Sequence, residues 1–189
     1  MSEQVEQRSE PEAKRAPDPE TVVRRIFDEG FSQGNMDTIQ ELIHPDFLLY
    51  SPTLTEPGRG PEGAKAFVRG LRNGFPGFYV HKEDVVVAGD KVIIRFKTEP
   101  MKHDGKYLGI PPTGRVVQMT GIGLYRVKDG QIDETWLEID AVGGLIQMGV
   151  LPPYNINTPR RVAFAIGNIF RMAFLEAKHS IIGGRKKKD

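Results

Sequence analysis

Proton transfer needs a carboxylate or a histidine held against apolar surface, and one stretch of this sequence combines the two. Gln131-Ile132-Asp133-Glu134-Thr135-Trp136-Leu137-Glu138-Ile139-Asp140 follows Asp129-Gly130, a pair that marks a tight hairpin between two alternating apolar runs. Read as a strand whose side chains alternate faces, it puts Ile132, Glu134, Trp136, Glu138 and Asp140 together. That face joins the chain's single Trp to three carboxylates. Either the strand end opens into water, or a carboxylate lies against an apolar wall. Desolvation there raises its proton affinity and makes it a usable acid or base.

Each residue has a plainer role beside the chemical one. Asp140 is the acid–base candidate or a capping carboxylate after the strand. Trp136 is core or pocket wall. Glu134 carries a second proton or forms a buried ion pair with Arg95 or Arg126. Tyr50, ahead of a Pro-rich loop, could aim its hydroxyl into a pocket, since buried Tyr hydroxyls find partners. His103 is either a solvent-exposed loop residue that stabilises the turn or one that lines a cavity mouth. His44 reads as a helix-end residue and His81 as sheet surface. Alternation puts Arg95, between Ile94 and Phe96, facing outward.

The composition narrows the classes of function. Without Cys there is no disulfide framework, thiolate nucleophile or sulfur-built zinc site, and the four His show no ligand spacing. A net charge of +1 argues against a dedicated nucleic-acid binder. There is no Gly-rich phosphate loop before a helix and no Gly-x-Ser-x-Gly. The expectation is chemistry without metal or cofactor, or no chemistry at all. No apolar run spans a bilayer and the polar start lacks a signal-peptide pattern, so the expected location is cytoplasmic. With 39% hydrophobic and 27% charged residues in 189, the chain suits one soluble domain with appendages.

The elements that must position these residues change period once along the chain. Residues 1–17 carry almost no large apolar side chains and are expected to be a disordered tail. Asp18-Pro19-Glu20 starts a helix, with Asp as cap and Pro in the first turn, and Val22, Val23, Ile26, Phe27 and Phe31 form its buried stripe. Gly34-Asn35 stops it. A short helix with Met36, Ile39, Leu42 and Ile43 follows, then a strand over 47–50 and a third helix from Pro61 to Gly74. Strand period then holds over 78–87, 91–98, 115–127 and 131–139. Three helices and a meander of long antiparallel strands make an α+β domain over 18–153, its curved sheet wrapping the helices into a cone.

Residues 154–189 read as a separate basic unit. From Tyr154 onward the chain has eight bases and two acids, and Val162, Phe164, Ile166, Ile169, Phe170 and Phe174 give a helix a wide apolar side. That helix packs on the domain or a dimer mate, lies on an anionic membrane through residues 158–189, or, as the least favoured reading, meets nucleic acid.

Beyond these patterns, His103-Asp104-Gly105-Lys106-Tyr107-Leu108-Gly109-Ile110-Pro111-Pro112-Thr113-Gly114-Arg115 resembles the motif loop of the SnoaL-like polyketide cyclases, also called ester cyclases. His44-Pro45-Asp46-Phe47, Phe75-Pro76-Gly77-Phe78, the segment Tyr125–Ile132 and Leu145-Ile146-Gln147-Met148-Gly149 resemble that family in the same order. The resemblance covers roughly residues 19–150 and implies an NTF2-like cone. It also implies intramolecular aldol ring closure on a hydrophobic, carbonyl-bearing small molecule, without metal or cofactor; isomerisation or dehydration by the same acid–base group stands beside it. Asp140 matches the family's acid–base Asp, with Tyr50, His103, Trp136 and Glu134 as candidate substrate contacts and a homodimer as the expected assembly. Where those cyclases place a cavity His, this sequence has Gly123. That departure leaves a non-catalytic ligand carrier, docked through its basic C-terminal helix, as the alternative.

Overall fold

The computed structural model describes residues 17–185. Most of the expected tail over 1–17 and the Lys186–Lys188 run lie outside the described residues. Helix α1 (Pro19–Arg25) starts where Asp18 accepts a hydrogen bond from Thr21 N at 3.1 Å, which satisfies one of the free amides of a first turn. The helix runs on as π-helical turns over Ile26–Ser32 and stops at Gly34, whose φ of +73° a glycine adopts without strain. Asn35 caps α2 (Met36–Leu42) through Asp37 N and Thr38 N. Arg25 clamps the helical pair by hydrogen bonds to Glu29 and Glu41, and these partners pull both carboxyls below their usual range.

Strand β1 (Ile43–Tyr50) begins earlier than expected and takes in Ile43 and His44, which are therefore strand and not helix-end residues; the short β2 (Gly58–Arg59) follows, and α3 (Gly60–Gly74) starts as the Pro61 signal predicts. Strands β3 (Val80–Ala88), β4 (Lys91–Thr98), β7 (Thr120–Lys128) and β8 (Gln131–Ile139) build a six-stranded sheet in the order β2-β1-β8-β7-β4-β3. The core fills the sheet's inner face. Phe27 is its hub, edge-on to Phe31, Phe96 and Tyr125 at centroid distances of 5.3, 5.8 and 5.6 Å. Truncating so buried an aromatic to Ala typically costs about 3–5 kcal/mol.

Four further details differ from expectation. The sheet is mixed, because β1 pairs with β8 in parallel, Leu49 opposite Thr135 and Tyr50 opposite Trp136. A strand lying between two helices has no hairpin to reverse it, so it takes the direction in which α2 delivers it. The expected strand over 115–127 is two strands: β6 (Val116–Val117) pairs with β5 (Met101–Lys102), while β7 joins the main sheet. The break at Gln118 is pinned by Gln147, whose side chain accepts from Gln118 N at 2.8 Å and donates to Gln118 O at 2.9 Å. A short helix α4 (Ala141–Gln147) follows β8, hidden from propensity by Gly143-Gly144.

The fourth difference is the face of β8 that carries Trp136. Arg126 lies opposite Glu134 and Val127 opposite Ile132, so Asp133 is an extra residue, a β-bulge in β8. The bulge reverses the alternation. Ile132, Thr135 and Leu137 are buried, whereas Trp136 is 50% exposed, and Glu134 and Glu138 share its outer side. The predicted common face is therefore split, which removes the conflict of an Ile beside three carboxylates. Arg126 holds the bulge by pairing with both Asp133 (2.8 Å) and Glu134 (2.6 Å).

Helix α5 (Thr158–Arg185) forms as the apolar periodicity predicts. It rests on the domain where Arg171 donates to Gly149 O and Met148 O, at 3.0 and 2.9 Å, and Asn168 donates to Val150 O at 2.9 Å. Its side chains thus satisfy carbonyls that follow α4.

Candidate active site

An apolar cavity lies under the helices on the inner face of the sheet. Its volume is about 30 Å³, and Phe27, Phe67, Phe78, Phe96, Leu137 and Ile139 are among its walls. Only Thr98 and Tyr125 among the lining side chains carry oxygen. Thr98 Oγ1 already accepts from Met119 N at 2.9 Å. Tyr125 is 2% exposed and its hydroxyl has no protein partner. Leaving a buried hydroxyl unpaired costs about 1–3 kcal/mol, so the group stands out from its apolar surroundings. Burial also pushes its pKa well above the ordinary phenol value, which keeps the proton on the oxygen.

Gly123 explains how the phenol fits. A Cβ at residue 123 would lie 2.6 Å from the Tyr125 hydroxyl. Residues 123 and 125 share the inner face of β7, and the ring leans back along the strand over the glycine. The hydroxyl thus occupies the space that a side chain at 123 would take.

The Tyr125 ring leans toward the strand end where Gly121 lies opposite Ile139, about 7 Å further on at two residues of rise. Asp140 comes next. It is exposed and caps α4, accepting from Gly143 N at 2.8 Å through Oδ1. Glycine at 143 leaves room for this cap, since a Cβ would come within 2.0 Å of Asp140 Oδ2 and displace the carboxylate. The cap expected as the plainer role of Asp140 is present, on a residue directly beside the cavity wall.

The other nominated residues sit elsewhere. Tyr50 and Trp136 stack on the outer face, ring centroids 4.2 Å apart at 19°. Trp136 Nε1 donates to Glu134 Oε1 at 3.1 Å. With Glu138 and the Ser51–Pro57 loop, the stack borders an outer groove of about 310 Å³. Trp136 is therefore neither core nor a wall of the inner cavity; the bulge at Asp133 turned it outward. Glu134 has the Arg126 partner that the sequence suggested, but the pair lies on the outer face, partly exposed and not buried as expected. Arg95 faces outward as alternation required, paired with Glu83 and Asp84.

His103 is wholly buried inside the motif loop. Its Nδ1 accepts from Thr113 N at 3.3 Å and pairs with Thr113 Oγ1 at 3.1 Å. The ring proton therefore belongs on Nε2, which has no partner. Burial lowers the His103 pKa. The loop it pins carries Lys106, Tyr107 and Leu108 to the rim of a second groove, about 310 Å³, floored by Gly63, Ala66 and Gly70 of α3. Phe67 and Leu71 line both this groove and the inner cavity and so form the partition between them.

Tyr125 and Phe67 were not singled out from the sequence. The signal for Tyr125 was present: a polar aromatic at the inward parity of a strand, two residues after a glycine.

The sequence model described as SnoaL-like polyketide cyclase matches residues 21–148. The chain is 31% identical over 134 residues to aklanonic acid methyl ester cyclase of Streptomyces peucetius, covering 68% of this chain and 88% of that protein. Among solved structures, a candidate SnoaL-like polyketide cyclase from Jannaschia sp. CCS1 superposes with a TM-score of 0.66 at 29% identity, over 76% of this chain and all of that one. IdmH, a candidate polyketide cyclase from Streptomyces antibioticus, gives a TM-score of 0.60 at 32% identity, over 69% of this chain and 98% of that one.

Proposed function

The chain belongs to the SnoaL-like polyketide cyclase family, and we propose on that premise a cofactor-free acid–base enzyme that closes a ring in a hydrophobic, carbonyl-bearing small molecule. The observation that carries this reading is the buried, unpaired Tyr125 hydroxyl, on a ring that lines an apolar cavity whose wall includes Ile139, the residue before Asp140. Asp140 removes a proton from the carbon next to one carbonyl. The carbanion attacks a second carbonyl carbon of the same molecule, forming the C–C bond, and the resulting alkoxide takes up a proton. Tyr125 donates its hydrogen bond to the oxygen on which charge develops, where a dry site makes such a donor worth most. The product has the mass of the substrate, or that mass less water if dehydration follows.

Tyr125 here takes the space of the cavity His expected from the family, with Gly123 making room for it. The substrate enters by the α3 groove and displaces Phe67 and Leu71, since about 30 Å³ holds only a group of water's size. His103 holds the rim loop. Tyr50, Trp136, Leu124, Ile93 and Val86 form one row across β1, β8, β7, β4 and β3. This row supports a homodimer paired through the outer sheet face. A monomer mass in light scattering at micromolar concentration would overturn the pairing.

The test is mass spectrometry of host-cell extract, and of aklanonic acid methyl ester, incubated with wild type and with Asp140→Asn. An isomeric or dehydrated product formed by wild type alone supports the reading. Absence of any product, or equal turnover by Asp140→Asn, overturns it; a compound that copurifies unchanged with both makes the cone a carrier.

A further inference from the structure

Helix α5 presents two unlike faces. Asn168 and Arg171 tie one face to the carbonyls of Met148–Val150, and Glu176 meets Lys106 at 3.0 Å. The opposite face carries Val162, Ile166, Ile169, Phe170, Phe174 and Ile181, each more than half exposed. At 100° per residue these side chains fall within about 140° of arc, and no acidic residue lies between them. Phe170 and Phe174 are 72% and 67% exposed. The anchored face prevents the helix from turning this surface inward.

We propose that the outer face of α5 is a docking surface for an anionic lipid bilayer, on which the helix lies flat. Arg160 and Lys178 are exposed and sit along one margin of the apolar arc, where bases beside an apolar face reach phosphate headgroups while the aromatics enter the acyl boundary. The segment from Tyr154 has eight bases against two acids, whereas the whole chain has a net charge of only +1. Two copies meeting through these helices would bring like charge together, while an anionic surface neutralises it. Crossing is a different matter: among the described residues no helix is long and apolar enough to span a membrane. The docking is independent of the catalytic reading, since no residue of α5 lines the inner cavity.

The experiment is co-sedimentation of the full chain with vesicles of phosphatidylcholine alone or mixed with phosphatidylglycerol. Wild type is expected to pellet with the mixed vesicles and to remain in solution with phosphatidylcholine. Phe170→Glu with Phe174→Glu abolishes pelleting, with an unchanged melting curve. Arg160→Gln with Lys178→Gln lowers partitioning by roughly 25-fold, at about 1 kcal/mol for each charge near the surface. Failure of wild type to pellet with mixed vesicles overturns the proposal. So does equal pelleting by the Glu double variant. Loss of a solution dimer in that variant, without vesicle binding by wild type, would assign the face to a second copy.

Discussion

The two faces of the sheet use acidic and aromatic side chains in opposite ways. On the outer face Glu134, Asp133, Glu83 and Asp84 are matched by Arg126 and Arg95, and Trp136 stacks on Tyr50 near water. On the inner face a single hydroxyl, Tyr125, stands unmatched among apolar walls. A wealth of carboxylates therefore does not locate the chemistry. Charges neutralised at the surface gain little from one another, whereas one lone donor buried beside an apolar cavity has a high energetic stake in whatever ligand reaches it.

The contrast can be tested by perturbing each face. The largest expected effect is Asp140→Asn, which lowers turnover by about 10²–10⁴-fold, the usual contribution of general acid–base catalysis, and is read by initial rates on the substrate found in extract. Next comes Gly123→His. The new side chain collides with the Tyr125 hydroxyl, and overpacking of this kind costs about 1–3 kcal/mol, visible as a lower denaturation midpoint. On the outer face Glu134→Gln breaks a half-exposed pair worth about 0–1 kcal/mol, so chemical denaturation should barely move and turnover not at all. A large loss of turnover there would erase the distinction between the faces.

A pH titration of stability sharpens the same point. His103 has a folded-state pKa lowered from 6.5 by burial, so the unfolded chain takes up its proton first. Stability is complete above about pH 6.5 and falls as pH drops below it. Arg-paired Glu29 and Glu41 act only at lower pH, below their ordinary 4.5. Thermal melts from pH 7.5 to 5 should therefore show a first decline that His103→Gln removes.

Much of this was legible in the sequence, for reasons that differ from residue to residue. Asp18-Pro19, Pro61 and Asp129-Gly130 are local signals, and the elements they start or join form where expected. The motif loop marked the family, and the pairing of Glu134 with Arg126 was foreseen as one of two choices. The face assignment of β8 was not legible, because a bulge at Asp133 is stabilised by Arg126 on the neighbouring strand and leaves no mark in the alternation itself. The parallel pairing of β1 depends likewise on long-range packing. Gly123 read as a missing histidine; only the packed structure shows that Tyr125 fills its space.

The central claim is that the Tyr125 hydroxyl serves a ligand and not the fold. Tyr125→Phe, measured for both thermal stability and turnover, tests it directly. Removing an unpaired buried hydroxyl should leave stability unchanged or raise it by about 1 kcal/mol, while turnover falls by about 10²-fold or more, as on loss of an oxyanion donor. Unchanged turnover, or a destabilised protein, would contradict the claim.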